Sequence, residues 1–263
     1  MNVLRDSLII ARRNVIRIRR VPDVMVFVLI QPLMFVLLFA YVFGGSIDIP
    51  GGNYREFLIA GIFAQTVVFG ATFTGSGLAE DLQKGLINRF RSLPMSRAAV
   101  VTGRTASDVV YNALSILVMS IAGLIVGWRI RGSLVDALIG YGVLFFFSYA
   151  FSWVMACIGL VVPTPEVVNN ASFVVLFPLT FVANTFVPSD NLPGVLRTIA
   201  EWNPVSTLTH TVRVHFGNLP EGTPTPEAWP MQHSLVYSMA WAIMLIVIFA
   251  PLATRLYERS ARR

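Results

Sequence analysis

Long apolar runs, each closed by a short polar stretch, dominate the chain from end to end. A bilayer core of about 30 Å is crossed by about 20 apolar residues of helix. Five runs meet that length, at 24–43, 57–78, 109–126, 137–162 and 234–254. A sixth, 172–187, has only sixteen residues and reads as a short span. The pattern predicts an all-α polytopic membrane protein in which 1–263 form one transmembrane domain with six transmembrane helices.

Three polar stretches carry a helical period of their own. In 1–22, Leu4, Leu8, Ala11, Val15 and Ile18 form an apolar stripe flanked by Arg5, Arg12, Arg13, Arg17, Arg19 and Arg20, and Pro22 breaks the run. This is expected to be an amphipathic interface helix lying on the lipid headgroups. Between the second and third runs, residues 80–97 read EDLQKGLINRFRSLPMSR. Leu82, Leu86 and Phe90 fall at i, i+4 and i+8 on one face, Glu80 and Lys84 pair at i, i+4 on another, and Pro94 ends the helix. That apolar face must bury against something. Lipid headgroups and a cytoplasmic partner protein are both open, and the partner is the sharper reading. Residues 188–233 form a connection too long to be structureless. Within it, Leu192, Val195, Leu196 and Ile199, then Leu208, Val212 and Phe216, recur at helical spacing.

Composition fits the pattern: 55% of residues are hydrophobic and 13% charged, against about 25% charged in soluble domains. A net charge of +6 would point to nucleic acid in a soluble chain. Here the basic residues sit at the ends of apolar runs, as topology signals do, and no nucleic-acid partner is expected. With both termini in the cytoplasm, fifteen of the twenty Lys and Arg residues face inward, as the positive-inside rule favours. Arg129 and Arg131 then face outward, against the rule. Cys157 is the single cysteine, so neither an intrachain disulfide nor a thiolate metal site is expected. The first apolar run is too long for a signal-peptide core and is expected to stay in the protein.

Candidate chemistry is sparse. No Asp, Glu, Lys or Arg lies inside the six runs, with Asp108 and His233 at their edges. Ion-coupled carriers keep ionisable groups at depth, so the absence weighs against one, and against a channel lined by charged rings. Ser76, in TFTGSGLAE, is not in a nucleophile elbow, and His210, His215 and His233 are assigned to the opposite side. An intramembrane protease is therefore disfavoured, and close helix packing accounts better for those small residues. Gly123 and Gly127 form a further small-residue pair. The only lysine, Lys84, follows Gln83, so there is no P-loop, and any ATP must be hydrolysed by another subunit. Phe173, Phe177 and Phe181 recur at i, i+4 and i+8 of the fifth run with Asn184 near its outer end, while the second run offers Gln65, Thr66, Phe69, Thr72 and Phe73. An aromatic surface with a few hydrogen-bonding groups suits a flat amphiphilic molecule.

Taken together, NYREFLIAGIFAQT at 53–66, the stretch at 80–97, and WNPVSTLTHTVR at 202–213 resemble the permease subunit of ABC-2 family exporters, most closely the daunorubicin-resistance type of multidrug permease. The likeness covers essentially the whole chain. It implies that 80–97 is a coupling helix seated in a cleft of an ATPase subunit, with Glu80, Asp81, Lys84, Gly85, Arg89, Phe90, Arg91, Leu93, Pro94 and Arg97 matching the motif and Leu86 on its apolar face. The family often has a Glu nearer the glycine, where this chain has Gln83 and Lys84. The resemblance also implies two re-entrant helices after the fifth span, within the outer loop 188–233. It implies a substrate pathway between two permease halves lined by the second and fifth spans. The expected partners are two copies of an ABC ATPase carrying ATP and Mg, a second permease subunit in a homodimer or heterodimer, and membrane lipid, in a bacterial plasma membrane. No cofactor, metal or catalytic residue is expected in this chain itself. The implied activity is export of a hydrophobic or amphiphilic drug or antibiotic. A lipid-linked or polysaccharide cargo is the alternative within the family; an ion-coupled carrier or an intramembrane protease lies outside it.

Overall fold

The computed structural model describes residues 3–20, 30, 32–43, 52–86, 97–189, 192–219, 222–223 and 226–260, and among these every regular element is helical. Helix α1 is Val3–Arg20. An apolar helix, α2, covers Pro32–Val42 and widens into a π-helix over Leu38–Phe43. Then follow α3 (Tyr54–Gly70), α4 (Thr72–Gln83), α5 (Arg97–Val126), α6 (Leu134–Val161), α7 (Pro165–Phe181), α8 (Gly194–Trp202), α9 (Pro204–Phe216), α10 (Trp229–Gln232) and α11 (Ser234–Ser260). Four stretches are long and apolar enough to cross a membrane: Tyr54–Gln83, Ala99–Val126, Leu134–Val161 and Ser234–Arg259. The start of the first expected span lies outside the described residues.

Several boundaries differ from expectation, each for a local reason. The fifth apolar helix begins at Pro165, not residue 172, because the Thr164 hydroxyl caps the Val167 amide and Pro165 supplies a preset first turn. It ends at Phe181, so its 17 residues span about 26 Å, and 182–187 continue as turns. The third helix starts at Arg97 and runs three turns ahead of the expected residue 109. Arg104 and Asp108 therefore belong to the same helix as the apolar run 109–126, within the candidate stretch Ala99–Val126. The second span is two helices in tandem, α3 and α4, meeting at Ala71. Gly85, at φ +66°, closes α4, so Glu80, Asp81 and Leu82 belong to that helix, at the end of the candidate stretch Tyr54–Gln83.

Glycines let these helices approach closely. A Cβ on Gly159 of α6 would stand 2.1 Å from the Gly75 carbonyl oxygen of α4. One on Gly61 of α3 would stand 2.1 Å from the Thr185 carbonyl oxygen. The small residues around Ser76 thus serve the α4–α6 crossing. Gly123 admits the Trp128 ring and Ile59, whereas Gly127, at φ +104°, is a turn residue and not part of a helix face.

Between α7 and α10 lie two helices, α8 and α9, close to the predicted segments, with Asn203 between them: its Oδ1 accepts the Val205 amide and its Nδ2 donates to the Leu179 carbonyl. Leu208, Val212 and Phe216 of α9 are fully buried, and Phe216 packs among Phe63, Trp128 and Tyr141. The apolar side of α8, with Val195, Leu196, Ile199 and Trp202, is exposed. At the same end Arg131 forms a bidentate pair with Glu56, and Arg129 donates to the Leu124 and Trp128 carbonyls. The two arginines that run against the charge rule are thereby spent on partners within the chain.

Candidate functional site: an aromatic cavity and its two ends

A cavity of about 370 Å³ opens where α2, the α3–α4 junction, α5 and α7 meet. Its walls are Pro32 and Phe35 from α2, Gln65, Thr66, Phe69 and Gly70 from α3, Thr72 and Phe73 from α4, Ser115 from α5, and Asn169, Ser172 and Phe173 from α7. None of these is charged. The volume lies in the range of small-molecule pockets, about 300–1,000 Å³. Six of the nine residues singled out from the sequence, Gln65, Thr66, Phe69, Thr72, Phe73 and Phe173, stand in this one wall.

Phe177 and Phe181 stand in a ladder of rings leading away from it. Centroids are 5.0 Å apart from Phe173 to Phe177, 4.0 Å from Phe177 to Phe181, 4.8 Å from Phe181 to Phe186 and 4.5 Å from Phe186 to Phe39. The i, i+4 spacing on α7 aligns the first three; the turn after α7 delivers Phe186, and α2 supplies Phe35 and Phe39. The ladder ends under Tyr54, whose hydroxyl donates to the Phe186 carbonyl. Asn184, the ninth residue, is part of a cap over this end of the helices: its amide donates to Ser206 Oγ and its carbonyl accepts from Arg213.

Arg213 was not singled out by its sequence, and it is the centre of that cap. It is 1% exposed and donates to the carbonyls of Phe57, Asn184 and Thr185 at 3.0, 2.8 and 3.1 Å. Its guanidinium carbon lies 3.4 Å from the Phe57 ring centre. One side chain on α9 thus ties α3 to the turn that follows α7. It stands among threonines and two histidines at 205–216, and nothing in that pattern set it apart.

At the opposite end, Glu80 and Lys84 form the expected i, i+4 pair. Asp81 does not present itself for a partner: it is 3% exposed and paired at 3.0 Å with Arg13 of α1. The docking face of α1 is Ser7, Ile10 and Asn14, packed on α5 beside Gly103, with Asn14 donating to Ser107 Oγ. Leu8, on the stripe expected to be apolar, is exposed, as are Ile9 and Ile16. Of the coupling stretch, Arg89, Phe90, Arg91, Leu93 and Pro94 lie outside the described residues; Gly85 and Leu86 are half-buried, and Arg97 begins α5.

The geometry offers no hydrolytic machinery at Ser76, whose hydroxyl donates to Asn169 Oδ1 at 2.6 Å. His215 pairs with Asp136 and His233 with the Trp229 carbonyl. Among the described residues no group of three or more His, Cys, Asp or Glu could hold a metal.

Comparison with known proteins agrees with this arrangement. The family model described as ABC-2 type transporter matches residues 6–216. The daunorubicin resistance ABC transporter permease protein DrrB1 of Streptomyces coeruleorubidus is 32% identical over 246 residues, covering 94% of this chain and 83% of that protein. A putative transport permease, ycf38, of Cyanophora paradoxa is 23% identical over 213 residues, 80% of this chain and 72% of its own length. The probable doxorubicin resistance permease DrrC of Mycobacterium tuberculosis is 23% identical over 179 residues, 68% of this chain and 64% of its own. A chain whose described residues form only helices, four of them apolar and of membrane length, and which these permeases match along most of its length, is a membrane protein of the ABC-2 transporter permease family.

Proposed function

We propose that this chain is the membrane-spanning half of an ATP-driven exporter that moves a hydrophobic or amphiphilic compound, a drug or antibiotic, out across a bacterial inner membrane. The observation that carries this reading is the uncharged aromatic cavity continued by a ladder of stacked rings. Such a surface binds planar apolar molecules through ring contacts of about 0.5–1.5 kcal/mol each, weak enough to pass a cargo from one ring to the next. Similarity to daunorubicin- and doxorubicin-resistance permeases supports the same class of cargo.

In this reading the first apolar run and α7 complete six spans, and both termini are cytoplasmic. A second permease subunit closes the other side of the pathway. Two ATPase subunits, which hold the ATP and Mg²⁺, engage residues 80–97. Closure of the ATPases pushes that stretch; α4, which ends at Gln83, carries the push to Thr72 and Phe73 in the cavity wall.

The test is co-purification of the tagged chain from detergent, wild type against Leu86→Asp with Phe90→Asp, with ATP hydrolysis assayed in the eluate. An ATPase that accompanies wild type and is lost with the variant supports the reading. Stimulation of that hydrolysis by a planar aromatic amphiphile identifies the cargo class, whereas stimulation only by a lipid-linked sugar replaces it. Wild type that brings down no ATPase while folded removes the energy source and refutes the proposal.

A further inference from the structure

Four buried polar groups on three adjoining helices have no protein hydrogen-bond partner: Thr74 Oγ1 on α4, Arg104 Nε and both carboxyl oxygens of Asp108 on α5, and Ser148 Oγ on α6. Asp108 is the most demanding of these. It is 1% exposed, and a buried carboxyl without hydrogen bonds is among the costliest groups a protein can hold. Ser152 of α6 stands beside it, with its own hydroxyl donated to the Ser148 carbonyl. The charge acting on Asp108 is that of Arg104, one turn away on the same helix face, where side chains are about 5–6 Å apart at Cβ. Among the described residues no other charge acts on it. The only charged residue of α6, Asp136, is in its first turn, and the acidic residues of α4 are committed to Lys84 and Arg13. On α1, Arg13 is the residue spent on Asp81, and on α11 Arg255 and Glu258 are exposed.

Arg104 nevertheless forms no hydrogen bond with Asp108. Its Nη2 donates to the Phe73 carbonyl at 2.9 Å, and the guanidinium lies against Gly77, where a Cβ would stand 1.7 Å from that nitrogen. Phe73 is in the cavity wall, and α4 is a separate helix joined to α3 at Ala71. One cation on α5 therefore has two claimants within reach, and only one is served.

We infer that Arg104 and Asp108 are positioning residues forming a two-position latch, in which Arg104 holds the Phe73 carbonyl in the state described here and pairs with Asp108 when α4 shifts. In the first position the cavity wall is fixed to α5. In the second, α4 is released and the orphaned carboxyl gains its partner, so the loss of one contact is offset by the other. The latch rests on the exporter reading only for what drives α4, and its test needs no ATPase.

The experiment measures spin-label distances between Gln83→Cys and Leu252→Cys in a Cys157→Ala background, with the full chain in lipid nanodiscs. The chain with Arg104 and Asp108 intact is expected to show two distances. Asp108→Asn, which removes the second position, is expected to keep only one of them. Gly77→Ala displaces the guanidinium from its seat and is expected to enrich the other, and adding Asp108→Asn to it abolishes that enrichment. Asp108→Glu restores both. If Asp108→Asn does not fold, the Gly77→Ala shift and its absence in the double variant with Asp108→Ala decide the matter. A single distance in the intact pair, or Asp108→Asn and Gly77→Ala shifting the populations in the same direction, overturns the latch.

Discussion

Two glycines on α6 receive the same substitution and are expected to respond with opposite signs. Gly142 has no atom within 4 Å of where a Cβ would be built, so Gly142→Ala gains only helix propensity, stabilising by about 1 kcal/mol or less. At Gly159 the added Cβ would lie 2.1 Å from the Gly75 carbonyl oxygen, against 3.4 Å for the nearest ordinary contact, so α4 and α6 must part by 3.4 − 2.1 = 1.3 Å. The obstacle is backbone, with no rotamer to turn. Overpacking of this kind costs about 1–3 kcal/mol, and a backbone clash belongs at the upper end. Subtracting the same propensity gain leaves a net loss of about 2 kcal/mol. At about 2–4 °C per kcal/mol for a chain of this size, Gly159→Ala is expected to lower the unfolding midpoint by about 4–8 °C, and Gly142→Ala to raise it by about 2–4 °C. The assay is thermal unfolding of the purified chain in one detergent, followed by circular dichroism. A rise or no change for Gly159→Ala would refute the close crossing of α4 and α6.

Arg213→Gln keeps a donor but loses the cation and the fork that reaches three carbonyls; the cap should open more easily by about 2–4 kcal/mol, read as faster amide hydrogen exchange in 182–187 and 204–216 with little change in α11. Asp81→Asn removes the charge that Arg13 meets. Because Arg13 is partly exposed, the effect on global stability is about 1 kcal/mol or less, but limited trypsin should cut after Arg12 and Arg13 sooner than in wild type. Unchanged cleavage would mean that the apolar contact at Ile10, and not the ion pair, holds α1 in place.

The broad plan was legible because hydropathy marks what can enter a bilayer, and the Phe173, Phe177, Phe181 spacing stated in advance which rings would align. What escaped was governed by polar residues whose partners lie far away in sequence. Arg104 and Asp108 cut the third apolar run short, although the helix passes through both. Thr164 and Pro165 carried a helix-start signal that polar neighbours such as Glu166, Asn169 and Asn170 concealed, and Asn169 turned out to line the cavity. On α1 the linear pattern marked the apolar stripe but not the face that packs on α5, because Ser7 and Asn14 look solvated in such a pattern but are buried there. Arg213 is the extreme case: its partners are backbone carbonyls, which have no sequence signature.

Gly85 has a mechanical consequence. Its left-handed backbone ends α4, and nothing lies within 4 Å of where a side chain would begin. A free joint of this kind transmits thrust along the helix axis but little torque. A force applied just beyond Gly85 is therefore passed on chiefly as a lengthwise stroke of α4, and twisting is largely dissipated at the joint.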